Sequence, residues 1–74
     1  MKTKPFNLKD TSFDTQYVTR SGIPVEILKF DARCTRPIIG LIKFKDFDEL
    51  ESWDVKGKVW DNVNSDSDLF ILNE

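Results

Sequence analysis

Tyr17-Val18-Thr19-Arg20-Ser21-Gly22-Ile23-Pro24-Val25-Glu26-Ile27-Leu28 reads as a β-hairpin. Two runs rich in β-branched residues flank a Ser-Gly pair, and Gly22 can take the positive φ that a tight turn demands. Pro24 has no N–H for a ladder, so it belongs at the start of its strand, which then runs to about Phe30. The spacing therefore predicts an antiparallel sheet, and the question becomes how much of the chain joins it.

Working outward, Asp31-Ala32-Arg33-Cys34-Thr35-Arg36 is a polar connection closed by Pro37. Ile38 to Lys45 is the most strand-like segment, apolar on both faces at first and alternating from Ile42 onward, as suits a central strand whose far end emerges from the core. Gly40 within it predicts a bend, a bulge or the close approach of another backbone. Asp46-Phe47-Asp48 reads as a turn and Leu50 to Val55 as a fourth strand with Trp53 facing inward. Lys56-Gly57 reads as a tight turn before a short fifth strand, Lys58-Val59-Trp60. Residues 61–68 form an acidic Ser/Asn-rich loop, and Leu69-Phe70-Ile71-Leu72 closes the chain as a strand paired with the first hairpin. Toward the N-terminus, Pro5 suits a first helical turn or an extended lead-in. Residues 6–13 are read as one or two helical turns that lay Phe6 and Phe13 on the sheet.

These segments make a mainly β chain: a small antiparallel meander of five or six strands, curled into an open (SH3-like) barrel or a twisted sheet, with a short N-terminal helical turn. One domain spans residues 1–74, with 1–15 as a capping segment and 16–72 as the sheet. A chain of 74 residues buries only about 60% of its unfolded surface. Six Phe, two Trp and one Tyr offset this small size, because aromatic side chains bury roughly 150–250 Å² each. Both a monomer and a homodimer fit that balance.

Composition excludes several classes. The single cysteine, Cys34, allows no internal disulfide and no thiolate cage. No apolar run is long enough for a membrane span, and no apolar stretch follows the basic N-terminus as in a signal peptide. The cytoplasm is the expected location. Histidine is absent, which removes the commonest general acid/base and the commonest metal ligand. No Ser-His or Cys-His pair can then activate a nucleophile. Neither an enzyme nor a bound metal or cofactor is expected.

Candidate binding residues follow from charge and aromatic placement. Residues 1–45 carry nine Lys/Arg and four Asp/Glu, whereas residues 46–74 carry two Lys and nine Asp/Glu. Such signs either neutralise each other across the sheet or give a polar molecule with a basic and an acidic face. Arg20, Arg33, Arg36, Lys43 and Lys45, with Lys29 and with Tyr17, Phe30 and Phe44 nearby, make up the basic candidate surface. Against a nucleic-acid role stands an acidic overall balance, with a pI of about 5.0. Trp53 and Trp60 would face each other across the Lys56-Gly57 turn, either as a core pair or as an exposed patch anchoring a protein partner. Cys34, between Arg33 and Arg36, is either a plain loop residue or a thiol activated by neighbouring cations. The acidic loop fails the EF-hand pattern: from Asp61 the third place is Val63, and from Asn62 the glycine place is Ser67.

The Thr19-Arg20-Ser21-Gly22-Ile23-Pro24-Val25-Glu26-Ile27-Leu28 run, with Pro37-Ile38-Ile39-Gly40-Leu41-Ile42, a Trp strand, a Gly turn and a closing Asp68-Leu69, resembles a set of small bacterial and bacteriophage proteins. These share a T-R-[DS]-G-x-x-V-x-I-L opening and a P-I-[IV]-G-L-[IV] strand, often with Asp where Ser21 stands here. The resemblance covers most of residues 16–72 and implies a shared compact β fold with a phage or mobile-element origin. Its motifs are turn and strand residues, so it transfers no functional side chain. The expected function is a non-enzymatic accessory binding protein that contacts a host or phage protein. The alternative is nucleic-acid or nucleotide binding through the basic strands Arg20-Lys45, and a third reading is small-ligand sequestration at an oligomer interface.

Overall fold

The computed structural model describes residues 2–73. Six strands, β1 (Thr3–Pro5), β2 (Tyr17–Thr19), β3 (Pro24–Lys29), β4 (Ile38–Lys43), β5 (Asp48–Trp53) and β6 (Leu69–Leu72), form one antiparallel sheet. The spatial order is β1-β6-β2-β3-β4-β5. The sheet curls into a half-barrel, and the segment after β5 packs on the start of β6. Trp53, ending β5, donates its indole N–H to the Ser67 carbonyl, and the Leu69 amide of β6 bonds the Gly57 carbonyl.

The hairpin forms as its residues dictate. Tyr17 stands opposite Val25 and Val18 opposite Pro24, with Pro24 the first residue of β3 and Gly22 at φ 89°. β6 pairs with β2, Ile71 lying opposite Tyr17. Gly40 marks a close approach: a Cβ there would lie 2.5 Å from the Glu26 carbonyl oxygen. The β3–β4 register shifts between Ile27 and Lys29 beside it, so β3 bulges where the backbones crowd. The concave face holds Tyr17, Val25, Ile27, Ile38, Ile42, Trp53, Leu69 and Ile71, with Phe6 and Val59 closing it.

The N-terminal segment is partly as expected and partly different. Thr3–Pro5 is a strand on β6 rather than part of a cap, so Pro5 is an extended lead-in. Its missing N–H costs nothing at a sheet edge. The helical region is one 3-10 turn, Leu8–Asp10, capped by the Asn7 side chain. Phe6 is buried as expected, but Phe13 is 69% exposed and packs edge-on against Phe30, 4.9 Å between ring centres. The Ser12–Thr15 turn holds it there: the Tyr17 hydroxyl donates to the Ser12 carbonyl and accepts the Ser12 amide.

β5 begins at Asp48 and ends at Trp53, two residues earlier at each end than Leu50–Val55. Lys43 grips Asp48 at 2.8 Å and starts the pairing early. Asp54 stops it, its carboxylate accepting the amides of Lys56 and Lys58. Lys58-Val59-Trp60 is no strand, because the Val59 amide is taken by the Asp68 carboxylate. An isolated bridge between Trp60 and Val63 is all that remains of it.

Candidate functional site

The segment between β5 and β6 is organised by Asp68, whose side chain is almost wholly buried. One carboxylate oxygen accepts the Val59 amide at 3.1 Å. The other accepts the Ser65 amide at 3.0 Å and meets Arg20 at 3.1 Å and Lys58 at 3.2 Å. Burial pushes the acid up, but the Ser65 and Val59 amides, aided by Arg20 and Lys58, outweigh it and hold the carboxyl below the usual range. Both oxygens are thus bonded, as a buried charge requires. The cage closes the loop at both ends, and Lys58 Nζ adds a 2.7 Å bond to Asn64. Arg20 also reaches the Ser65 carbonyl and lies 4.9 Å from the Phe70 ring centre.

The loop so held presents Trp60 and Val63 to solvent, with Trp60 61% exposed. Asn62, at φ 60°, makes the tight reversal between them, a backbone state that Asn tolerates better than most residues. Trp53 and Trp60 therefore do not face each other. Trp53 is 0% exposed and belongs to the core, whereas Trp60 belongs to the skin. A hairpin centred on Lys56-Gly57 would have paired them. The Asp54 side chain makes that turn instead, and Gly57, at φ 79°, packs against Phe6.

Arg36 lies over Trp60, its guanidinium 5.6 Å from the ring centre. The same guanidinium bonds Glu51 at 3.2 Å and the Ser52 carbonyl, so it is fixed from the β5 side. Its Nε is buried with no partner among the described residues. Thr35, Arg36, Asp54, Val59, Trp60 and Asp61 line a cleft of about 420 Å³ beside the indole. The result is a flat aromatic surface backed by a positioned cation.

The basic candidates Arg36 and Lys43 stand at opposite ends of β4. Arg36 precedes β4 and Lys43 ends it, and β4 pairs in register with β5 from Ile38–Trp53 to Lys43–Asp48. Their Cα atoms are therefore separated by about 20 Å of strand. Lys43 is held by Asp48 at 2.8 Å and Glu26 at 3.6 Å. The bond to Asp48 chiefly raises its ammonium above the usual value. Arg33 and Lys45 are exposed and make no ion pair with another described residue. Cys34 is exposed, its thiol pointing to the Arg36 carbonyl at 3.2 Å. Among the described residues no three His, Cys, Asp or Glu side chains converge as metal ligands, and no helix is long and apolar enough to cross a membrane.

A second cleft, about 520 Å³, opens where Gln16 and Glu26 part beyond the two-pair β2–β3 register. Val18, Pro24 and Leu72 give it an apolar wall, and its ionisable groups are Glu26 and Tyr17. Burial raises the Tyr17 phenol.

Asp68, Glu51 and Lys58 lie outside the binding candidates that charge and aromatic placement single out, although they hold Arg20, Arg36 and the backbone beside Trp60. Asp68 is one acid among several in a polar run. Its only distinguishing mark is its place directly before the last apolar strand, where a side chain can turn inward. No protein-family model, curated protein or solved structure matches this chain.

Proposed function

We propose that this chain is a non-enzymatic binding module of phage or bacterial origin, acting in the cytoplasm through contact with a protein partner. The observation that supports this reading is Trp60, an exposed indole with the Arg36 guanidinium against its face and Val63 beside it. Trp and Arg dominate the energetics of protein interfaces because each buries a large area and also offers polar contacts. The Asp68 cage fixes the backbone beside Trp60 and the Glu51–Arg36 pair fixes the guanidinium before any partner arrives, which reduces the ordering cost of association. Strand-type nucleic-acid binding is less well supported, because Arg20, Arg36 and Lys43 each already face a carboxylate.

Affinity capture compared between the wild-type chain and Trp60→Ala tests the reading. A protein retained by the wild type and lost with the variant is the expected result. A retained set identical for both chains, or nucleic acid alone, contradicts it.

A further inference from the structure

The sheet ends on β5, and the way this edge is finished points to a second recognition element. β4 occupies one side of β5, and among the described residues no strand follows it on the other. Antiparallel ladders alternate, so every second residue of an edge strand turns its N–H and C=O away from its neighbour. The outward set is fixed by Ser52, whose amide is taken by the Glu51 carboxylate at 2.9 Å and whose carbonyl is taken by Arg36. The Thr19 amide, bonded to the Ile23 carbonyl in the hairpin, leads to the same alternation when carried strand by strand across the sheet. Ser52, Leu50 and Asp48 face outward, whereas Trp53, Glu51 and Glu49 bond β4.

Side chains therefore close this edge at Ser52 and leave it open at Leu50 and Asp48. Edges of sheets are usually blunted, because an open one pairs with whatever strand it meets. The opposite edge, β1, is blunted by Pro5. Beside the open part, Leu50 is 66% exposed, and Phe47 stacks on Phe44 with ring centres 4.8 Å apart. On the other face of the strand stand Glu49 and Glu51. Glu51 is engaged by Arg36, and Glu49 has no ion pair with another described residue.

We infer that β5 is a docking edge for an extended basic segment of a partner protein, which adds as a further strand beside Asp48–Leu50. Its cations would alternate with apolar residues, so that Lys or Arg faces Glu49 and an apolar side chain faces Leu50. Main-chain bonds supply adhesion and the alternating side chains supply selection, as in strand-addition recognition generally. A second copy of this chain is the wrong occupant. An antiparallel pairing centred on Leu50 sets Glu49 opposite Glu51 of the other copy, twice, and like charges directly opposite each other repel.

This inference rests on the protein-binding reading above, but its test does not use Trp60. The isotope-labelled full chain is titrated with a blocked peptide of alternating Lys and Val, seven residues long. The expected result is movement and slowed hydrogen exchange of the Leu50 and Asp48 amides, weakened by raised salt. Leu50→Pro deletes an N–H that no internal ladder bond uses, so the urea midpoint should hold while peptide affinity drops at least tenfold. Glu49→Lys provides a check that does not involve the backbone: it should weaken the Lys/Val peptide and favour a Glu/Val peptide. Equal affinity for wild type, Leu50→Pro and Glu49→Lys, responses confined to residues away from β5, or self-association through this edge would overturn the inference. Trp60-dependent capture that survives such a result would leave the other reading standing.

Discussion

The indole N–H of Trp53 donates to the carbonyl of Ser67 at 2.7 Å, and this bond joins the end of β5 to the segment entering β6. The two strands lie at separate places in the sheet order, so the contact helps to close the half-barrel. Trp53→Phe keeps most of the apolar volume but leaves the Ser67 carbonyl without its donor. A loss of about 1–3 kcal/mol is expected from the unpaired group. Trp53→Ala adds a cavity and should cost about 3–5 kcal/mol, enough to unfold much of a domain this small. Urea unfolding followed by circular dichroism measures both.

Asp68 links stability to pH. Its carboxyl titrates lower in the folded chain than unfolded, because the amides and cations around it outweigh burial. The stabilisation is therefore complete above the unfolded value of about 3.9. It is lost as pH falls from there through the folded value. The urea midpoint of the wild type should decline below about pH 4, and Asp68→Asn should show a flatter decline from a lower plateau. At neutral pH the variant is expected to lose about 2–4 kcal/mol, since Arg20 and Lys58 keep their charge without a counter-ion.

Gly40 is required by space rather than by φ. A Cβ would stand 2.5 Å from the Glu26 carbonyl oxygen and 3.2 Å from the Ile27 Cα, both parts of backbone. Gly40→Ala must push β3 and β4 apart at the bulge. Overpacking of this kind costs about 1–3 kcal/mol, and amide exchange of β3 and β4 should quicken ahead of β6.

Arg36 and Trp60 should separate in their effects on stability. Trp60 is largely exposed, so Trp60→Ala is expected to move stability by no more than ~0.5 kcal/mol. Arg36 is more enclosed and bonds both Glu51 and the Ser52 carbonyl. Arg36→Ala should cost about 1 kcal/mol. Both variants should lose the captured partner. Thermal melts beside the capture experiment distinguish a binding defect from a folding one.

The parts of the fold legible in the sequence are those set by local chemistry. Ser21-Gly22 makes its turn because Gly22 takes positive φ, Pro24 opens its strand, and the unbroken Leu69–Leu72 run finds β2. Gly40 announces crowding because no other residue fits. The parts not legible in the sequence are set by distant partners. Thr3–Pro5 is too short for a periodic pattern, and it becomes a strand because β6 has a second free side. Asp68 looks like any loop acid until the curl of the sheet brings Val59, Arg20 and Lys58 around it. A regular hairpin would set Trp60 opposite Trp53, and one carboxylate, Asp54, removes that register. Among the candidate residues, Arg36 and Trp60 meet across the cleft, while Arg33 and Lys45 stand apart from any described ion pair.

The account assigns one tryptophan to the interior and the other to recognition, and acrylamide quenching of Trp60→Phe beside the wild type tests that assignment directly. With Trp53 alone remaining, emission should lie to the blue and resist quenching, and the wild type should add a red, readily quenched component. An indole in Trp60→Phe that quenches as freely as tryptophan in solution, under conditions where the chain is folded, would contradict it.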